Sequence, residues 1–316
     1  MDSETLLSAY LSWGYDMVMG SFEAAPGTWP PPVEPATPAR RLRDVMAPIG
    51  EHAFWSARTN EVLAKLGLPF VPGYLWGRAA GLGEPTSEVV AAAFAIYEPR
   101  LVTLLYEHAR TQCGRAGFVA AREEATIASL HEILGDVDVA DVVAVLRRGV
   151  DAADGSGRTL YAGVRALGWP EDPMGQLWRA CDLLREHRGD SHMMVWLAAN
   201  LSPAAVNVLT ELWLGMPLGA YTAMRRGWSE ADIASAVADL EARGLVSAGE
   251  ITPAGRDFRE DLEDRTDALE QPIIDAIGAD FEPAVEALDR WSAAIAEVGA
   301  FPPGTFVSLS QAGRHS

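Results

Sequence analysis

Hydrophobic residues recur along most of the chain at the three- and four-residue spacing of an amphipathic helix, and few runs alternate as a half-buried strand does. The pattern therefore predicts a mainly α fold, beginning near Arg40. Ile233, Val237 and Leu240 fall on one face of a predicted helix, and Gly244 is placed to end it.

A tight turn and two short strands, at residues 245–246 and 250–252, are predicted after this helix. The order of helix, turn and hairpin is typical of a winged helix-turn-helix unit. At the other end of the chain, residues 4–22 predict a short appended helix, which Gly14 and Gly20 weaken. Six prolines in residues 25–38 predict an extended linker.

Three landmarks recur at a spacing of about 140 residues. The pattern of residues 87–102 returns at 231–246, a Gly-Arg pair before a long helix returns at 114 and 255, and His52 before an aromatic run returns as His192. Chance likeness between Ala- and Leu-rich helices is the alternative. We predict a tandem duplication of winged-helix-like repeats with long flanking helices. The segments are an N-terminal helix and linker (1–39), a first repeat (40–154), a connection and helix (155–184), a second repeat (185–302) and a tail (303–316).

Acidic residues outnumber basic ones, since 44 Asp and Glu face 25 Lys and Arg, for a formal net charge of −19. Such a charge repels DNA phosphates and anionic membrane surfaces. We therefore expect a small molecule as partner, no nucleic acid and no membrane, with a homodimer left open.

No run approaches the ~20 apolar residues of a membrane span, and acidic residues interrupt the N-terminal pattern that a secretion signal requires. Cys113 and Cys181 lack the spacing of a redox or zinc pair. They are interpreted as free thiols of a reducing compartment, so we expect a cytoplasmic protein.

The densest polar cluster is the octapeptide of residues 185–192, which follows a helix begun by Asp172 and Pro173. We predict a junction between two helices here. Gly189 permits the left-handed residue that ends a helix, and Asp190 can cap the next one.

A purely structural interpretation covers much of this cluster, because a helix C-terminus favours His187 and Arg188 without further function. The functional interpretation is that imidazoles, a carboxylate and guanidiniums converge there as a general base, an orienting acid and an anion clamp. We predict His192, Asp190 and His187 as catalytic residues, joined by His52 from the first repeat.

His52 and His192 are expected to line one central cavity, where they could transfer protons or ligate a haem. No metal-ion site is predicted, since H-x-x-x-H and Cys/His spacings are absent.

The glycine-rich stretch of residues 73–83 matches no phosphate loop and predicts close helix packing around Arg78. Several aromatic residues are either core or the walls of a pocket. The predicted ligand-binding residues are Arg78, Tyr74, Trp76, Arg188, Trp55 and Trp196.

At these residues the chain resembles an actinobacterial family of MarR-like helix-turn-helix proteins of unsettled activity. The octapeptide stands where the family reads R-E-H-R-G-D-G-H, and residues 73–83 and 252–267 also match. Ser191, Ser56 and Trp76 depart from the family pattern. These departures suggest a pocket adapted to a particular ligand.

We interpret the chain as a small-molecule-binding protein with a pocket between its repeats, and lean towards an enzyme of specialised metabolism such as antibiotic biosynthesis. A MarR-like, ligand-responsive transcription regulator is the alternative. A tandem winged-helix DNA glycosylase is a third interpretation. The predicted recognition helix, residues 229–243, argues against both DNA-binding alternatives because it carries four acidic residues and one arginine.

Overall fold

Helix starts in this chain follow local capping chemistry. The side chains of Asp172, Ser202 and Thr252 each accept a hydrogen bond from a backbone N–H of the first turn that follows, and proline occupies the next position in all three. Thr37 and Pro38 begin another helix in the same way. The computed structural model describes residues 3–23, 37–219 and 222–301.

The described residues are mainly α, which confirms the predicted fold class. The first half of the chain holds ten helices. They are α1 (Ser3–Leu11), α2 (Tyr15–Glu23), α3 (Pro38–Gly50), α4 (His52–Trp55), α5 (Ala57–Lys65), α6 (Phe70–Ala79), α7 (Ser87–Phe94), α8 (Pro99–Gln112), α9 (Arg115–Leu134) and α10 (Ala140–Ala152).

The second half adds seven helices and one small hairpin. They are α11 (Thr159–Ala166), α12 (Pro173–Ala198), α13 (Pro203–Trp213), α14 (Thr222–Arg226), α15 (Glu230–Ala242), β1 (Val246–Ser247), β2 (Glu250–Ile251), α16 (Pro253–Ile277) and α17 (Phe281–Glu297). Two 3₁₀ turns, Ala80–Leu82 and Gly278–Asp280, follow α6 and α16.

The strands predicted after Gly244 are present as an antiparallel pair with Val246 opposite Ile251. Gly244, with φ of +70°, lies directly beyond the end of α15, as expected of a glycine that ends a helix. In the first half, the corresponding stretch forms α7 and then α8, with helix where the second half has strands. The duplication therefore stays a prediction, and the two predicted repeats differ at the position of the hairpin.

The predicted junction at residues 185–192 is wrong, because α12 runs without interruption from Pro173 to Ala198. Its N-cap is Asp172, as expected, but Gly189 keeps a helical backbone and Asp190 caps no helix in its own segment. A single glycine costs a helix about 1 kcal/mol, which the packing of α12 against α3, α10, α11 and α16 outweighs.

The N-terminal segment forms two helices that break near Gly14, where one short helix was expected. It is also more than an appendage, since α1 packs on α6 and α8 and buries Tyr10. The predicted connection contains α11, which packs against α12. Most of the proline-rich linker predicted at residues 25–38 and the whole predicted tail, residues 303–316, lie outside the described residues.

Three large hydrophobic clusters hold the described helices together, and a small fourth one joins Val18 to Phe70. The central cluster joins α3, α9 and α10 to α12, α16 and α17, so it draws on both halves of the chain. A second cluster lies among α1 and α5 to α9. A third lies among the end of α12, α13, α15 and the hairpin. A cavity opens where these three clusters meet, since Met46, Tyr97 and Trp196 all line it.

Candidate functional site

One face of α12 forms the back wall of a cavity of about 420 Å³. Arg185, Arg188, Gly189, His192 and Trp196 all line it. These positions are spaced by three or four residues, the repeat that brings side chains to one side of a helix. Gly189 is exposed to the cavity, and a Cβ built on it would meet only Glu186 Oε2, at 3.9 Å.

The other walls come from helices far away in sequence. Eight other helices contribute, from α1 at the N-terminus to α16 near the C-terminus, together with the junction between α7 and α8. Most of this lining is apolar or aromatic: Tyr10, Trp13, Val18, Met46, Ala47, Trp55, Phe70, Val71, Tyr74, Ile96, Tyr97, Val206, Leu214 and Met216.

The charged residues on the wall are mostly cationic. Six arginines line the cavity against three glutamates: Arg43, Arg78, Arg185, Arg188, Arg226 and Arg259 face Glu51, Glu211 and Glu263. Several of the carboxylates that balance these arginines, among them Glu186 and Asp267, stand behind the wall. The side chains that line the cavity therefore include more cations than anions, inside a chain whose net charge is −19.

At one end of the cavity, Glu186 holds two guanidinium groups in place. Arg78 donates to its two carboxylate oxygens through Nε and Nη2, at 2.9 and 2.8 Å, and Arg185 donates to Oε1 at 2.7 Å. Burial opposes the charged form, but Arg185 and Arg78 hold the pKa of Glu186 down at about 2. The Nη1 of Arg78 makes no hydrogen bond to any described residue.

Tyr74 lies beside these arginines, and its hydroxyl is hydrogen-bonded to Tyr97. Burial alone would raise the pKa of Tyr74, but Arg78 and Arg226 outweigh burial and lower it below 10. Arg226 also lies over the Tyr97 ring, 4.2 Å from its centroid. This end of the cavity thus stabilises negative charge on a phenol, and would do the same for a bound acid.

At the other end, three arginines surround Glu263. Arg188 and Arg259 bind its oxygens at 2.8 Å, and Arg43 lies 3.3 Å away. Burial raises the pKa of Glu263, yet Arg259, Arg188 and Arg43 bring it well below its usual range. The cluster fixes α16 against α3 and α12, so its arginines are rigid.

His192 lies next to this cluster, and its tautomer follows from its one partner. Thr266 Oγ1 donates its only proton to Leu262 O at 2.7 Å, so it accepts from His192 Nδ1 at 3.0 Å. Nδ1 therefore carries the proton, and Nε2 is left as an acceptor without a partner among the described residues. Burial, together with nearby arginines, lowers the pKa of His192 to about 4, which keeps the ring neutral.

Six of the predicted site residues line the cavity: His192, Arg78, Tyr74, Arg188, Trp55 and Trp196. His52 does not. It is fully buried between helices, where its Nε2 lies 2.9 Å from Ser129 Oγ, and burial lowers its pKa to about 4. The expected pairing of His52 with His192 in one cavity is wrong, and with it the two-histidine haem site.

Asp190 and His187 also lie away from the cavity, because they occupy the opposite face of α12. Asp190 Oδ2 accepts from the backbone N–H of Tyr161 at the start of α11, and His187 Nδ1 lies 2.9 Å from both Glu270 oxygens. Both residues are 1% exposed. Because the octapeptide is helical, its residues divide between a face that lines the cavity and a face that packs against other helices. The predicted junction between two helices did not anticipate this division.

The residues that depart from the family pattern do not shape the cavity either. Trp76 packs in the core on Tyr106 and Phe118. Ser56 lies beside Ser129, and Ser191 Oγ lies 2.8 Å from Glu270 Oε1. The idea that these three changes adapt the pocket to a ligand is wrong.

Sequence reasoning missed the arginines Arg43, Arg185, Arg226 and Arg259 and the acid Glu263 as wall residues. Helical spacing from His192 would have found Arg185. The others lie on α3, α14 and α16, and no local pattern marks them. The close packing expected at residues 73–83 is present, since a Cβ on Gly81 would lie 2.7 Å from the backbone of Gly163.

The surface of α15 is acidic. Glu230, Asp232, Asp239 and Glu241 lie on or beside its exposed side, and the guanidinium of Arg243 is bound to the carbonyls of residues 199 and 200. Among the described residues, eight acids and seven arginines are buried, so the excess negative charge of the chain lies on the surface.

Within the described ranges, no group of three or more His, Cys, Asp or Glu side chains could hold a metal ion. No single helix there is long and apolar enough to cross a membrane, and α12 and α13 pass that criterion only as a pair bent by 107°.

A model of a helix-turn-helix family matches residues 39–302. No curated protein and no solved structure matches the chain.

Proposed function

The chain belongs to this helix-turn-helix family, and from the cavity it encloses we propose that it binds a small organic anion with an aromatic body. The observation that carries the proposal is the wall itself, with six arginines against three glutamates in a chain of net charge −19. A strongly acidic protein that gathers cations around one apolar cavity favours an acidic ligand there.

The apolar part of the wall supports an aromatic body for the ligand. Trp55, Phe70 and Tyr74 form a continuous aromatic surface, with ring centroids 5.4 to 6.4 Å apart. Trp196 lines the cavity from the end of α12. Flat rings bury well against such surfaces.

A charge-matched series of probes tests the proposal. We expect isothermal titration calorimetry to show that 2-naphthoate binds more tightly than neutral 2-naphthamide, by roughly tenfold or more. The cation (2-naphthyl)methylammonium should not bind. Equal affinities for the acid and the amide would refute the anionic preference, and no binding of any probe would refute the proposal.

A cavity-filling variant locates the binding site. In Gly189→Leu the new side chain points into the cavity, so we expect 2-naphthoate binding to be lost while the protein stays folded. Gly117→Leu is the matched control, because Gly117 is also an exposed glycine within a helix and lies away from the cavity. Retained binding in Gly189→Leu, or its loss in Gly117→Leu, would place the ligand elsewhere.

A ligand-responsive transcription regulator is the second candidate, and the family match favours it. The cavity would then be the sensor site, and α15 with the hairpin would meet DNA. The acidic side of α15 opposes this, since DNA affinity depends on several Lys or Arg contacts to phosphates.

Selection from a library of genomic DNA fragments at physiological salt separates the two candidates. We expect no enrichment, with or without 2-naphthoate. Enrichment of a discrete sequence, with affinity tighter than the ~10⁻⁴ to 10⁻⁶ M of non-specific binding, would establish the regulator.

A further inference from the structure

The cavity presents two kinds of polar group at different heights along α12. Arg78 is anchored on Glu186 and offers an Nη1 with no hydrogen bond to a described residue. His192, which follows Glu186 by six residues on α12, presents Nε2 as an acceptor only. Six residues of helix span about 9 Å.

The tautomer of His192 is the decisive feature. Because Thr266 donates to Leu262 O, it can only accept from His192, and Nδ1 must therefore hold the ring proton. A neutral ring with that tautomer accepts one hydrogen bond at Nε2 and donates none there. A ligand group facing Nε2 must be a donor.

We propose that the ligand carries a hydrogen-bond donor, such as a hydroxyl, at the end opposite its acidic group, and that His192 Nε2 accepts from this donor while Arg78 and its neighbouring arginines bind the acid. This inference rests on the proposed function, and it adds the second polar group of the ligand.

Gly189 lies between the two ends on the cavity face of α12. It has no side chain, and its ideal Cβ would meet only one carboxylate oxygen, at 3.9 Å. A rigid ring system can therefore lie flat along the helix from Arg78 to His192.

Three probes with a common naphthalene body test the inference. In 6-hydroxy-2-naphthoate the acid and the donor lie at opposite ends, 6-methoxy-2-naphthoate replaces the donor with an acceptor, and 2-naphthoate has neither. We expect the hydroxyl compound to bind roughly threefold to tenfold more tightly than either of the others, the usual contribution of one neutral hydrogen bond.

Two variants assign the preference to His192. His192→Leu should bind 6-hydroxy-2-naphthoate and 2-naphthoate with equal affinity. Thr266→Val removes the hydroxyl that selects the tautomer, so the preference should shrink without disappearing. The thermal unfolding midpoint of each variant checks that it is folded.

The outcomes separate this inference from the proposed function. If no naphthoate binds the wild-type protein, the proposed function fails and the inference fails with it. If 2-naphthoate binds and the hydroxyl brings no preference, the inference alone is overturned. A preference that persists in His192→Leu would also overturn it, because another group would then accept from the hydroxyl.

Discussion

Asp190, the buried acid of the octapeptide, gives the sharpest stability prediction. Its side chain is 1% exposed, Oδ2 accepts from Tyr161 N at 3.0 Å, and Oδ1 has no partner among the described residues. Burial is the main reason that its pKa is raised from 3.8 to about 6, although the Tyr161 N–H opposes the shift. The folded protein therefore resists ionisation of this carboxyl.

The sign of the effect on stability follows from the raised pKa. The stability that the protein gains from the neutral Asp190 carboxyl is fully present below pH 3.8, and it is lost as the pH rises through about 6. The difference between 3.8 and about 6 corresponds to roughly 3 kcal/mol in the free energy of unfolding.

Asp190→Asn removes the ionisation and keeps an oxygen to accept from Tyr161 N. We expect the variant to be more stable than the wild type by about 3 kcal/mol at pH 8 and by about half as much at pH 5. Urea unfolding at several pH values measures this gap. Asp257→Asn, the same substitution at an exposed aspartate, is the matched control.

Two results would contradict this reasoning. One is an Asp190→Asn protein that is less stable than the wild type at pH 8, which would mean that the carboxylate has an ionic partner. The other is a gap that stays constant from pH 5 to pH 8, which would mean that Asp190 does not titrate in this range.

Three further predictions test the helix packing at Gly163, the buried His52 and the two thiols. Gly163→Ala should lower the free energy of unfolding by about 1–3 kcal/mol in urea titrations, because its Cβ would lie 2.9 Å from the backbone of Gly81. His52, whose pKa burial lowers from 6.5 to about 4, contributes stability that is present above pH 6.5 and lost as the pH falls towards 4. Between pH 7 and pH 4, the free energy of unfolding of His52→Gln should therefore fall by about 3 kcal/mol less than that of the wild type. An equal fall in both proteins would refute this. Burial raises the pKa of the Cys181 thiol, so a thiol-reactive dye should label Cys113 in the native protein and Cys181 only after unfolding, with prompt labelling of both as the contrary result.

The helix ends were the most predictable part of the fold, because local contacts determine them. Asp172 caps α12 through backbone N–H groups two and three residues away, and α9 and α16 end at glycines with positive φ. The same local reasoning failed at Gly189. A glycine followed by an aspartate has the pattern of a helix end, and only the packing of α12 on its neighbouring helices keeps it helical there.

The cavity was predictable in its residue types and only partly in its membership. Arginine, histidine and tryptophan were expected to converge, and Arg78, Arg188, His192 and Trp196 do line one wall. His52 was included because of its spacing from His192, yet its partner is the buried Ser129. The 140-residue spacing between the two histidines carries no information about which side of each helix faces the cavity.

The sequence by itself determined the mainly α fold, the caps that begin its helices, the excess of negative charge and the candidate motif of residues 185–192. Each of these depends on composition or on residues within one or two helical turns. The tertiary structure alone decided that α3, α14 and α16 bring Arg43, Arg226, Arg259 and Glu263 to the cavity. It also decided the tautomer of His192, through Thr266 on α16. These contacts join residues far apart in sequence, so they depend on how helices pack and not on how each helix forms.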